Sequence, residues 1–137
     1  VSNVLYTKGK QKLLEGSIDL INDDIRVALV DTGVYTANLS IDDYFSDVPD
    51  NAVVATANLD NRSVTDGIFD ADDTTFLSVP ATSNTIELIV ILKWTGNSET
   101  SPVLGHVDTA NGLPTIPNDG NITIIWSEDT SKIFRLV

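Results

Sequence analysis

Apolar positions recur along this chain in two rhythms. Near the N-terminus they follow helical spacing: Leu14, Ile18 and Ile21 form a stripe, Tyr6, Leu13 and Leu20 lie close to it, and Lys8, Lys12 and Glu15 fall outside it. The spacing predicts a helix over about residues 3–20, with Asn3 or Thr7 as candidate cap and Asn22-Asp23-Asp24 as its end. Gly9 and Gly16 each cost such a helix about 1 kcal/mol of propensity, so tertiary packing has to hold it.

From Ile25 onward the period drops to two. Ile25, Val27 and Leu29 share one face of a predicted strand, and Arg26, Ala28 and Val30 the other. Residues 31–51 break the rhythm: Tyr35, Leu39, Ile41, Tyr44 and Phe45 are scattered among polar and acidic neighbours, which predicts a long loop with a short helical turn over 40–45. Further strands are predicted over 53–57, 63–68 and 74–79, with a turn at Asp70-Ala71-Asp72-Asp73. The clearest alternation runs from Thr85 to Trp94, with Ile86, Leu88, Val90, Leu92 and Trp94 on one face and Glu87, Ile89, Ile91 and Lys93 on the other. Both faces are apolar at the centre, as expected of a central sandwich strand or of one whose outer face meets another subunit. Strands over 103–107, 122–126 and 133–137 complete the set, the last expected to pin the C-terminus in a sheet. Asn118-Asp119-Gly120-Asn121 supplies a strong reverse-turn signal.

The pattern predicts a mainly β fold: a β-sandwich or twisted β-barrel of about seven or eight strands with one N-terminal helix. No internal repeat or linker divides residues 1–137, so a single domain is expected, with a β core from about residue 25 onward.

Composition narrows the function classes. The 137 residues carry 8 Lys+Arg against 20 Asp+Glu, a formal charge of −12, and the one basic cluster is Lys8, Lys10 and Lys12. Nucleic-acid binders neutralise phosphates with clustered basic residues, and an anionic membrane would repel this surface, so neither partner is expected. With 42% hydrophobic residues the chain is expected to fold rather than remain disordered. There is no Cys, hence no thiolate nucleophile, disulfide or Cys-based metal site. The longest apolar run, Leu88 to Leu92, is far too short to span a bilayer, and a soluble protein is expected. The start at Val1 and the lack of Met read as an authentic mature N-terminus after removal of the initiator, with no signal peptide remaining.

The sharpest chemical motif is Asp31-Thr32-Gly33 directly after a hydrophobic strand, which resembles the aspartic-protease signature, with Val103-Leu104-Gly105 imitating that family's second motif. The following Val34-Tyr35 departs from the signature and no glycine-rich flap is present, so a strand-ending turn is the simpler reading. Asp66, Asp70, Asp72 and Asp73 invite a calcium reading, but the loop lacks the EF-hand glycine and distal Glu, and a solvated turn is expected. His106, alone, makes neither a metal cluster nor a triad and reads as structural. No phosphate-binding glycine loop occurs, and no cofactor is expected.

Several stretches taken together are similar to a known family. They are residues 4–16 (VLYTKGKQKLLEG), 25–35 (IRVALVDTGVY) and 44–49 (YFSDVP), followed near the C-terminus by 108–114 (DTANGLP), 117–120 (PNDG) and 122–126 (ITIIW). Their order resembles a family of small tailed-bacteriophage virion structural proteins. The resemblance implies a non-catalytic protein: a capsid decoration or cement protein that binds the major capsid protein as a homo-oligomer, a trimer among the arrangements, or alternatively a tail, neck or fibre component. It implies location in the virion, on the outer capsid surface or the tail, after assembly in the host cytoplasm. Such a clamp needs apolar contact area, and the candidate interface residues are Leu5, Tyr6, Tyr35, Tyr44, Phe45, Ile89 and Ile91. A glycan-binding module using the acidic, aromatic loop and a retroviral-type protease using Asp31 stand as the alternative classes.

Overall fold

A computed structural model describes residues 3–136. Its elements run β1 (Val4–Leu5), α1 (Thr7–Glu15), β2 (Ile25–Val30), β3 (Val53–Asn58), β4 (Ser63–Thr65), β5 (Ile68–Asp70), β6 (Thr74–Phe76), β7 (Leu88–Lys93), β8 (Val103–Val107), β9 (Ile122–Ile124) and β10 (Phe134–Arg135). Strand accounts for 34% of the residues and helix for 11%, so the chain is mainly β with one α-helix, as the hydrophobic pattern predicts.

Helix α1 is shorter than its apolar spacing predicts. Gly16 takes φ 81°, and the N–H groups of Gly16 and Ser17 donate to the Leu13 and Lys12 carbonyls at 3.3 and 2.9 Å, a Schellman closure that stops the helix well before Asn22. The predicted stripe is therefore not realised. Leu14 is 83% and Ile21 46% exposed, while Ile18 and Leu20 reach the core from non-helical backbone. Asn3 does not cap the helix either: its Oδ1 accepts the Asp108 and Thr109 N–H groups, tying the chain's start to the end of β8.

Five strands form one antiparallel sheet in the order β1-β8-β7-β2-β3, with β7 central and registers such as Val27 opposite Ile91 and Val90 opposite His106. Two small sheets, β10-β5-β4 and β6-β9, lie against one face of it. Ile25, Val27, Leu29, Ile89, Ile91 and Leu104 pack there on Phe69, Phe76, Ile122, Ile124 and Trp126. On the opposite face Ala28, Val30, Leu88, Val90 and Leu92 are covered by Tyr6, Tyr35, Phe45, Val48 and Ala52. A strand enclosed on both faces has no need of polar positions, which explains the unbroken apolar run of β7. Each fully buried Ile or Leu there is worth roughly 1.5–3 kcal/mol relative to exposure.

The layers form a sandwich-like stack in which no barrel closes. The described residues contain ten strands rather than seven or eight because the segment predicted as one strand over 63–68 is a hairpin and Val4–Leu5, within the predicted helix, is a short strand. Asp66 and Gly67, with φ 54° and 76°, form the two-residue reversal between β4 and β5. The helical turn expected over 40–45 falls slightly later, as 3-10 turns at Phe45–Asp47 and Asp50–Ala52. At the C-terminus only Phe134–Arg135 is strand, paired with β5; Val137, the end of the predicted strand, lies outside the described residues.

Candidate functional site

The segment from Asp31 to Ala52 is the covering layer of the second core face, and three sets of bonds hold it there. The first begins at Tyr6, between β1 and α1, whose N–H donates to the Leu104 carbonyl at 2.9 Å while its ring turns into the core. Its hydroxyl lies 2.9 Å from that of Tyr35, and the Tyr35 hydroxyl donates to Asp42 Oδ2 at 2.6 Å. The same Asp42 oxygen accepts the Asn38 N–H at 2.9 Å. Burial outweighs the opposing effect of the hydrogen bond shared with Tyr35 and pushes the Tyr6 phenol up to about 12. Burial also raises the Tyr35 phenol, reinforced by the Asp42 carboxylate beside it. Both phenols stay protonated and serve as hydrogen-bond links.

The second set starts from α1. Lys12 Nζ bonds Asp43 and lies 4.8 Å from the centre of the Tyr44 ring. The third is main-chain: Thr7 N–H donates to the Leu39 carbonyl, Phe45 N–H to Ser101, and Val103 N–H to Asp43. Asp47 Oδ2 accepts the N–H groups of Asp43 and Tyr44, closing the turn between them.

His106, on β8, packs edge-on against Tyr6 with ring centres 6.2 Å apart and is only 7% exposed. Its Nδ1 is buried without a hydrogen-bond partner among the described residues. Burial holds the imidazole below its ordinary value and so favours the neutral ring, an effect partly offset by the Asp108 carboxylate. A cleft of about 570 Å³ opens beside it, lined by Thr32, Tyr35, Leu39, Glu87, His106 and Asp108. A second groove of about 930 Å³ runs between the layers where β1 and β10 end their sheets, past Leu5, Val107, Trp126 and Phe134.

These positions correct the surface expected from the sequence. Tyr6, Tyr35 and Phe45 are core residues under the covering layer, and Ile89 and Ile91, both 0% exposed, face Phe69 and Phe76 in the inner core. None of these five presents an outer face, because the fold supplies two covering layers for the central sheet. Leu5 is half-buried against the inner core, and Tyr44 is half-buried beneath Lys12. Lys12 is thus a structural cation, held between Asp43 and the Tyr44 ring.

Asp31 ends β2 as a turn residue. It is 7% exposed, its Oδ1 accepts the Gly33 N–H and its Oδ2 the Asn84 side-chain amide, both at 2.8 Å. The acidic residues downstream serve separate local roles. Asp66 makes the hairpin turn, Asp72 accepts from Asn61, and Asp73 accepts the Trp126 N–H. Among the described residues no three His, Asp or Glu side chains converge as a metal site would require. Trp126 is buried, its indole N–H donating to Thr74, whereas Trp94 is half-buried with the Arg26 guanidinium 5.1 Å from its ring centre.

Sequence reasoning missed the partners that complete this arrangement: Asp42 for Tyr35, Asp43 for Lys12, and His106 for Tyr6. Only the Lys12 and Tyr6 ends had a visible signal, a lysine and an aromatic beside a helix that packing had to hold. No protein-family model matches the chain, and no curated protein is similar to it.

Proposed function

We propose that this chain is a non-catalytic structural subunit of a tailed-bacteriophage virion that decorates and stabilises the capsid, binding the major capsid protein lattice as a homo-oligomer. The observation that carries the reading is that the stretches resembling that family interlock with one another. Tyr6 of the first bonds Tyr35 of the second. Lys12 of the first stacks on Tyr44 of the third. Near the C-terminus, Asn111 and Ile125 bridge the 108–114 and 122–126 stretches, the Ile125 N–H donating to the Asn111 carbonyl at 3.0 Å. The shared signature is therefore made of framework residues, as expected where the output is a shape that associates.

The polar residues best suited to chemistry are engaged in holding that shape. Both Asp31 oxygens are occupied by groups of the same chain, which speaks against a proton shared across a dimer axis. The flat aromatic faces a glycan module would use are taken up, Trp126 by the core and Trp94 by Arg26. A passive clamp stabilises a shell through its binding free energy alone. A charge of −12 suits the outer surface, away from packaged DNA.

The test is binding of the purified chain to DNA-filled capsids that lack it, followed by cryo-electron microscopy. The reading expects saturable occupancy at regular lattice sites and capsids more resistant to heat. No association with any capsid overturns it, and density confined to one vertex or to the tail replaces it with a tail or neck role.

A further inference from the structure

Of the four strands in the large sheet with five or more residues, β3 alone lies at an edge. Its partner on one side is β2, in a register that sets Val27 opposite Ala57 and Leu29 opposite Ala55. Leu59 N–H donates to the Ile25 carbonyl at 3.0 Å, so in this register the odd-numbered residues bond β2. The N–H and C=O groups of Thr56 and Asn58 consequently point away from the sheet. Neither meets a hydrogen-bond partner among the described residues, and both side chains are exposed.

Long edge strands are normally blunted by lysine, proline or an inward charge. The β3 sequence, Val-Val-Ala-Thr-Ala-Asn, contains none of these and favours strand pairing. We infer that β3 is the self-association edge of this protein, pairing antiparallel with β3 of a second copy about a two-fold axis.

A second copy is the favoured occupant because the edge complements itself. Centring the axis on Ala57 sets Thr56 of one copy against Asn58 of the other, twice, and satisfies both residues' main-chain groups with four hydrogen bonds. In that register Asp60 falls opposite Val54, so the uncharged edge brings together two chains of charge −12 without setting acid against acid. The two five-stranded sheets then become one continuous sheet. One edge buries less than a standard interface, so the pair is reversible in solution. This names the self-contact of the assembly proposed above and rests on that reading for its setting.

Sedimentation velocity across a concentration series up to about 1 mM tests it. The wild-type chain is expected to form a reversible dimer. Thr56→Pro removes an N–H that points outward, so the edge strand tolerates it, while each copy loses one intermolecular donor. Thr56→Lys adds a blocking charge. Both are expected to weaken dimerisation by about tenfold or more, with far-UV dichroism and Tm of the monomer unchanged. A wild-type chain that stays monomeric, that forms trimers without dimers, or that dimerises equally well in both variants overturns the inference. Capsid binding separates the two proposals. A β3-dependent dimer that binds no capsid sinks the virion reading alone, and a monomer that still saturates capsids sinks the edge alone.

Discussion

The hydroxyls of Tyr6 and Tyr35 lie 2.9 Å apart across 29 positions of sequence, and Asp42 fixes the direction of the bond between them. A carboxylate only accepts, so Tyr35 spends its proton on Asp42 and must receive the proton of Tyr6. The order Tyr6, Tyr35, Asp42 is a directed chain that fastens the covering layer to the root of α1.

That direction makes the two tyrosines unequal. Tyr35→Phe leaves the buried Tyr6 hydroxyl without a partner and strips Asp42 Oδ2 of one of its two donors, the Asn38 N–H remaining, and is expected to cost about 1–3 kcal/mol. Tyr6→Phe removes only the terminal donor and is expected to cost about 1 kcal/mol. Urea denaturation of both variants checks the ranking, and equal or reversed losses would contradict the assigned direction.

Lys12 joins α1 to the covering layer through Asp43 and Tyr44, with both charged groups partly exposed. Solvent screening keeps the pair's global contribution to about 1 kcal/mol or less, but its local effect is concentrated. In Lys12→Ala, amide hydrogen exchange is expected to quicken over residues 38–47 while β7 keeps its protection. Uniform loss of protection would show that the covering layer does not open separately.

Gly9 within α1 and Gly16 at its end respond to alanine for different reasons. At Gly9 a Cβ would stand 2.7 Å from the Val103 carbonyl oxygen and 2.8 Å from Leu104 Cα, main-chain atoms that cannot swing aside. Gly9→Ala is therefore expected to destabilise by about 1–3 kcal/mol, although Ala is the better helix former by about 1 kcal/mol. At Gly16 nothing lies within 4 Å and the penalty comes from φ 81° alone, about 1 kcal/mol. Thermal melts of the two variants should rank them in that order; a stabilised Gly9→Ala would mean that α1 does not press on β8 as described.

Much of the framework was legible in the sequence because period-two alternation reports burial directly, and β2, β7 and β8 emerged close to their observed limits. The errors have local causes. Leu14 and Ile21 sit at helical spacing, but a spacing count ignores Gly16, whose left-handed backbone ends α1 before the stripe is complete. The hairpin at Asp66-Gly67 carried its own turn signal and was masked by the β-favouring residues around it. Ile89 and Ile91 looked like an outer face because alternation cannot distinguish a second subunit from a second layer of the same chain. The Tyr6, Tyr35 and Asp42 chain was invisible for a related reason: its members come from separate segments that only the completed sheet brings together.

His106 gives the fold a pH dependence whose sign follows from burial. Desolvation, with Tyr6 packed on the ring, holds the folded imidazole below its ordinary value of 6.5, and the Asp108 carboxylate opposes it. Below 6.5 the unfolded chain takes up a proton that the folded chain resists, so stability is fully present above 6.5 and is lost as pH falls from there through the folded value. Asp19 and Asp129, held below 3.8 by hydrogen bonds from their own turns, lose stability in the same direction but in a more acidic range. Comparison with His106→Gln removes those shared contributions. Denaturation free energies of the two proteins should run in parallel above pH 6.5, with the wild type falling relative to the variant below it. Imidazole resonances titrating at or above 6.5, or parallel curves throughout, would mean that the ring is solvated rather than packed on Tyr6.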